Sequence, residues 1–332
     1  MTAAVEAHGL IKHFGKTKAL DGIDLEVEEG RVLGVLGPNG AGKTTAVRIL
    51  ATLLKPDGGT ATVTGLDVVH QARAVRRKIG LTGQFASVDE DLTGMQNLVM
   101  IGQLLDLSTA QAKVRAKELL AEFDLTDAAG RLAKTYSGGM RRRLDLSASL
   151  VGRPAVVYLD EPTTGLDPAK RDDVWEMIRV LTRQGSTILL TTQYLEEADA
   201  LANEITVIDH GKIIAHDTPQ GLKRKTGGLT LEVRAASTGD LPRIRELLIQ
   251  YGTREPEQPS PDQFSVPVSD ESALTNVVAQ LASEKISVAE LSLRLPSLDE
   301  VFYSLTGTTK REEARDDEPA DKSKKNKNGE AA

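Results

Sequence analysis

Cysteine is absent from all 332 residues, which excludes disulfides, thiolate catalysis and cysteine-based zinc or iron–sulfur sites. No apolar run approaches the roughly 18 residues needed to cross a bilayer, so the chain is not expected to span a membrane by itself. The first ten residues, Met1 to Leu10, carry acids and small residues. They lack the basic start and apolar stretch of a secretory leader, and a cytosolic chain is expected. An excess of positive charge is missing too: 41 Lys and Arg face 48 Asp and Glu, a net charge of −7. That balance disfavours non-specific binding to nucleic acid. Aromatic residues are scarce at 3%, yet 40% of the chain is hydrophobic and 27% charged, the composition of an ordinary globular protein. At roughly 150 residues per domain, this length suggests two domains.

From Val5 to about Thr226, short β-branched runs alternate with longer helical patterns, the rhythm of an α/β fold with a largely parallel sheet. The clearest predicted strands are Arg31 to Leu36, Ala155 to Leu159, Thr187 to Thr191 and Ile205 to Asp209. Their continuous apolar character suits strands buried on both faces. Between Asp89 and Leu132 the spacing becomes helical, with Leu98, Ile101, Leu104 and Leu105 and then Val114, Leu119, Leu120 and Phe123, which predicts an inserted helical subdomain over about 89–135. Arg73, Arg76, Arg77 and Lys78 read as a solvated helix face.

After Gly227 and Gly228 the pattern shifts to a small α+β domain over 227–307. Strands are expected at Leu229 to Arg234, Phe264 to Val268 and Ile286 to Leu295, and helices at Leu241 to Tyr251, Ala273 to Ser283 and about Ser297 to Leu305. Gly252 to Pro261 reads as a loop. From Thr308 to the end, at 308–332, acids and bases balance with no apolar face, so the tail is expected to be disordered.

Gly37-Pro38-Asn39-Gly40-Ala41-Gly42-Lys43-Thr44 matches the phosphate-binding loop pattern, with strand-like residues before it and helix-like residues after. Glycines let successive backbone N–H groups turn toward phosphate oxygens, and the following helix offers its positive end. Lys43 is expected to reach the β- and γ-phosphates of a nucleoside triphosphate, and the Thr44 hydroxyl to ligate Mg²⁺. A carboxylate at an adjacent strand end is then required. Val156-Val157-Tyr158-Leu159-Asp160-Glu161 supplies Asp160 for the metal and Glu161 as general base on the attacking water. Tyr136-Ser137-Gly138-Gly139-Met140 precedes a helical run and reads as an N-cap with a second nest of free N–H groups. A plain helix cap remains an alternative for Ser137.

In this order the three elements resemble the ATP-binding subunits of ABC transporters, P-loop NTPase cassettes with an inserted helical subdomain. The resemblance implies that Ser137, Gly138 and Gly139 close over the nucleotide of a second subunit, so that a homodimer forms in the ATP-bound state. It also implies roles for Thr45 in the phosphate loop, for Phe14 stacked on adenine and for Gln84 as a metal and water ligand. Asp167 falls in the loop that communicates across the dimer. Taken alone, the alternative for Phe14 is core packing, for Gln84 a solvated loop residue and for Asp167 an N-cap or turn acid before Pro168. The family usually places His after the strand ending at Thr191, whereas this chain has Gln193, which donates or accepts a hydrogen bond but carries no charge. Gln193 is therefore expected to sense the γ-phosphate as a neutral group.

Together with Tyr136 to Leu146 and with Leu-Pro-Ser-Leu-Asp-Glu-Val-Phe at 295–302, Gln193 narrows the resemblance to the daunorubicin/doxorubicin-resistance exporter ATPases. This implies an ATP-hydrolysing subunit that energises export of a drug-like or hydrophobic compound. Its partner would be a separate transmembrane permease, contacted near Phe85 to Thr93, at the cytoplasmic side of a bacterial cell membrane. An ATP-binding regulator or resistance protein of the same superfamily is the alternative; an ATPase acting on ribosomes or DNA fits less well, given one phosphate loop and an acidic chain.

Overall fold

The computed structural model describes residues 2–83, 88–226, 229–295, 297–298 and 301–302, and the chain divides into two compact units, Met1–Leu222 and Lys223–Ala332. Two long strands, β1 (Ala3–Phe14) and β2 (Thr17–Glu28), open the first unit. After them come β3 (Val32–Leu36), α1 (Lys43–Leu50), β4 (Gly58–Val63), β5 (Leu66–Asp67), α2 (Ala72–Arg76) and β6 (Ile79–Thr82). The helical stretch holds α3 (Gly94–Leu104), α4 (Thr109–Glu122) and α5 (Gly138–Ser149). Then follow β7 (Val156–Asp160), α6 (Pro168–Arg183), β8 (Thr187–Thr192), α7 (Leu195–Leu201), β9 (Glu204–Asp209), β10 (Lys212–Asp217) and α8 (Pro219–Thr226).

The central sheet runs in the order β10-β9-β3-β8-β7-β6. Strands β9, β3, β8, β7 and β6 pair in parallel, and β10 is antiparallel to β9. Every residue of β3, β7 and β8 is buried, because both faces are covered and an apolar side chain is favoured at each position. Successive side chains point to opposite faces and enter different cores. Leu33, Val35, Val156, Tyr158 and Leu189 pack with α1 and the antiparallel strands. Val32, Val157, Leu159, Ile188 and Leu190 pack with the helices on the other side.

A second sheet, β2-β1-β4-β5, is antiparallel. Its long β1–β2 hairpin differs from the short strands expected here. Its polar residues are exposed or half-buried, whereas Val5, Ala7, Leu10, Leu20, Ile23, Leu25 and Val27 are buried.

The second unit contains β11 (Leu229–Ala235), α9 (Leu241–Tyr251), β12 (Glu257–Ser260), β13 (Gln263–Val268), α10 (Ser272–Ser283) and β14 (Val288–Arg294). Its sheet order, β12-β13-β11-β14, with antiparallel neighbours throughout, is the split βαβ plan of ferredoxin-like domains. Leu231, Val233, Phe264, Val266 and Val268 form its core with Ile244, Leu247, Leu248, Val277 and Leu281 from the helices. Strand β12 lies within the segment expected to be a loop. The helix expected over 297–305 falls mostly outside the described residues, and the charged tail falls wholly outside them.

Candidate active site

Ligands of open parallel sheets bind beyond the carboxyl ends of the strands, and here those ends carry most of the residues singled out above. Strand β3 leads into the Gly37–Thr44 loop, β7 ends on Asp160 before Glu161, β8 ends on Thr192 before Gln193, and β6 ends one residue before Gly83.

The phosphate loop is shaped by close packing around its glycines. A Cβ on Gly37 would lie 2.2 Å from the Ile208 carbonyl oxygen, and one on Gly42 would lie 2.3 Å from that of Ala19. Gly40 and Gly42 also have φ of 82° and 113°, a left-handed region that side chains rarely tolerate. Gly211 N–H donates to the Ala41 carbonyl at 3.0 Å, so the turn between β9 and β10 braces the loop from below. Gly42→Ala is expected to cost about 1–3 kcal/mol of stability through backbone strain and overpacking. In urea titrations it should lower the unfolding midpoint with little change in slope.

Gly42 caps α1, whose first turn leaves N–H groups without intrahelical partners, a ready anion seat. Lys43 is only 4% exposed, and its ammonium donates to the carbonyls of Gly37 and Pro38 at 2.7 and 3.1 Å. Burial pushes its pKa down, with Glu161 and Asp160 opposing the shift. A buried cation whose hydrogen bonds among the described residues go to two neutral carbonyls is well matched to phosphate oxygens. Asn39 and Gly40 are exposed, while Pro38, Thr44 and Thr45 are half-buried.

Asp160, at the end of β7, is buried and accepts from the hydroxyls of Thr44 at 3.1 Å and Thr191 at 2.5 Å. A carboxylate beside a hydroxyl offers the hard oxygen donors that suit Mg²⁺. Glu161 follows with φ 51°, an unusual backbone for a residue with a side chain. Its N–H donates to the Thr191 carbonyl and hydroxyl at 3.0 and 3.2 Å, and its Oε2 accepts from the Thr164 hydroxyl at 3.3 Å. Thr191 thus holds both acids from the neighbouring strand.

Other singled-out residues stand apart from this cluster or away from its contacts. Gln193 is exposed in the turn between β8 and α7. Phe14 is 52% exposed at the β1–β2 turn with the Lys12 ammonium 5.7 Å from its ring centre, so it is not a core residue. Ser137 caps α5 by accepting from Met140 N–H at 3.2 Å; Gly138 is exposed and Gly139 half-buried. Asp167 caps α6, accepting from Lys170 N–H at 3.1 Å and pairing with its ammonium. These bonds to Lys170 hold its carboxyl below the usual range. Gln84, and Phe85 to Ser87 of the expected permease contact, lie outside the described residues.

The structure adds groups that the sequence reading passed over. Thr191 is one. Half-buried Arg142 and Trp175 form a polar cluster with buried Glu197 behind the strand ends. Their only sequence signal was their place in the motif runs 136–146 and 193–199 and in a helix after Asp167.

Comparison with known proteins places these features in a family. The model described as ABC transporter matches residues 20–164, and that described as the C-terminal domain of ATP-binding proteins like DrrA1-3 matches residues 218–306. The chain is 55% identical over 316 residues to the daunorubicin resistance ATP-binding protein DrrA2 of Streptomyces coeruleorubidus, covering 94% of this chain and 98% of that one. It is 46% identical to the doxorubicin resistance ATP-binding protein DrrA of Mycobacterium tuberculosis, covering 91% and 93%. Among solved structures, an ATP-binding cassette of an ABC transporter in its ADP conformation matches with a TM-score of 0.61 at 24% identity, covering 67% of this chain and 93% of that chain. A dimeric, post-hydrolysis cassette bound to ADP and Pi matches with a TM-score of 0.59 at 23% identity, covering 64% and 98%.

Proposed function

The chain belongs to the ATP-binding subunits of ABC transporters, in the daunorubicin/doxorubicin-resistance group, and from that premise we propose that it hydrolyses ATP to energise export of a drug-like compound through a separate permease. The observation that carries this reading is the meeting of Thr44 and Asp160, 3.1 Å apart, where the phosphate loop faces the end of β7. One element can seat phosphates, the other can hold a cation, and Glu161 stands next in the chain.

In the proposed mechanism the loop N–H groups and Lys43 take the β- and γ-phosphates, and Phe14 stacks on the base. Thr44, Asp160 and Gln84 would hold Mg²⁺, which would supply positive charge against the phosphate oxygens. Glu161 accepts a proton from the attacking water, and Gln193 donates a neutral hydrogen bond to the γ-phosphate. Ser137, Gly138 and Gly139 close on the nucleotide of a second copy, giving a homodimer while ATP is bound. Among the described residues no helix is long and apolar enough to cross a membrane. The proposed location, the cytoplasmic face of a bacterial membrane, follows from the proposed permease partner.

Gln193→Ala should lower steady-state ATP hydrolysis by about 2- to 10-fold, the worth of one neutral hydrogen bond. An unchanged rate in a phosphate-release assay would remove Gln193 from the mechanism. The functional test is ATPase activity of the full chain reconstituted with a co-purified membrane partner, with stimulation by the exported compound. Drug resistance that persists in a Lys43→Ala strain would point instead to a role that does not drive transport.

A further inference from the structure

Behind the strand ends lies a cluster of buried and half-buried charges that the proposed chemistry does not use. Arg142, on the second turn of α5, sends its guanidinium inward. Its Nε donates to the Pro162 carbonyl at 2.7 Å, and its Nη1 donates to the Gly83 carbonyl at 3.3 Å and to Asp145 at 3.4 Å. Asp145 is 1% exposed. Nearby, Glu197 on α7 is wholly buried and accepts from the Trp175 indole N–H of α6 at 3.2 Å. Arg142 acts on Glu197 and Asp160 through its charge. Burial raises the pKa of Glu197, while Thr192, Thr163, Trp175 and Arg142 pull it back.

The connections are the informative part. Pro162 follows Glu161 directly, and Gly83 precedes Gln84 directly. The helix that holds both carbonyls begins at the Ser137–Gly139 turn, five residues before Arg142, about 7–8 Å along the axis at 1.5 Å per residue. One guanidinium thus spans α5 and the segments flanking two site residues, a task suited to its rigid fork of donors. The cluster is also poorly built for stability alone. Among the described residues, Arg142 Nη2 and Glu197 Oε2 are buried and have no hydrogen-bond partner in good geometry, and buried ion groups often stabilise no more than apolar residues of the same volume. Incompletely paired donors and acceptors are instead suited to an element that exchanges partners between two arrangements.

We propose that Arg142 is a positioning residue for hydrolysis: by gripping the Pro162 and Gly83 carbonyls from α5, it makes the placement of Glu161 depend on the position of the Ser137–Gly139 turn. This rests on the reading that the turn closes on the nucleotide of a second copy. Closure on one nucleotide would then set the base beside the other.

The chain has a single tryptophan, and Trp175 sits in this cluster, so its fluorescence reports on it directly. The experiment compares the full-length wild type with Arg142→Gln and Arg142→Lys, recording kcat, KM, the MgATP-induced change in Trp175 emission and the thermal midpoint. Arg142→Gln is expected to lower kcat about tenfold or more, the worth of one lost charged hydrogen bond or more. KM should stay within about twofold, because ground-state binding is spared, and the emission change should disappear. Arg142→Lys, a point charge without the fork, should fall between the two. A kcat for Arg142→Gln close to the wild type, or an emission change that survives, would overturn the proposal. So would a loss of activity that only follows a loss of thermal stability. If Arg142→Gln does not fold, Arg142→Lys decides: reduced kcat at an unchanged midpoint supports the role, and unchanged kcat ends it. Failure of the underlying ATPase reading would show separately, as a wild type that binds no more ATP than Lys43→Ala.

Discussion

Glu161→Gln should reduce ATP turnover by about 10²- to 10⁴-fold, the range for removing a general base, while leaving MgATP affinity close to that of the wild type. The substitution keeps side-chain length and the Thr164 contact, and the backbone N–H of residue 161 still donates to Thr191. What it removes is the capacity to accept a proton from water. Lys43 and Asp160, which would hold the phosphates and metal, are untouched. Binding and turnover therefore separate, and the variant should accumulate as an ATP-bound dimer of doubled mass in size-exclusion chromatography. Single-turnover phosphate release measures the chemical step. Normal release would show that another group takes the proton.

Lys43→Ala acts on the other half of the cycle. Hydrogen bonds from a cation to charged oxygens are worth about 1.5–3 kcal/mol each, so losing contact with two phosphates should weaken ATP binding by about 10²- to 10⁴-fold. The fold should survive. Lys43 is buried among the Gly37 and Pro38 carbonyls, and its removal takes a desolvated charge out of the interior. Equilibrium dialysis with labelled ATP, alongside thermal unfolding, tests both statements together. Unchanged affinity would mean that phosphates are seated elsewhere.

The parts of this molecule that the sequence makes legible are those where one physical demand dominates. A strand buried on both faces must be apolar throughout, so β3, β7 and β8 stand out as unbroken runs. The Gly37–Thr44 loop is legible because it needs glycines where Ile208 and Ala19 approach. The alternation of β11 and β13 with the amphipathic α9 and α10 also marks the second unit. Where demands mix, the sequence says less. The β1–β2 hairpin alternates, but its register shifts near Leu10 and Ile23 interrupt the period of two. Strand β12, Glu257–Ser260, is polar with a proline at an edge, and nothing in its composition separates it from a loop. Arg142 is one of three consecutive arginines, and only the phase of α5 decides which turns inward. Thr191 reads as one more β-branched strand residue until the fold sets it beside Asp160.

The left-handed backbone at Glu161 has a consequence for how this protein can change. Holding a side-chain residue at φ 51° costs about 1–2 kcal/mol relative to a conformation it prefers, and glycine at that position would relieve the strain. Stability and activity thus pull residue 161 in opposite directions, as they commonly do at functional sites. Variants selected only for heat resistance should drift toward glycine or asparagine there and become durable but inert. Gains in robustness that preserve transport must come from elsewhere in the fold.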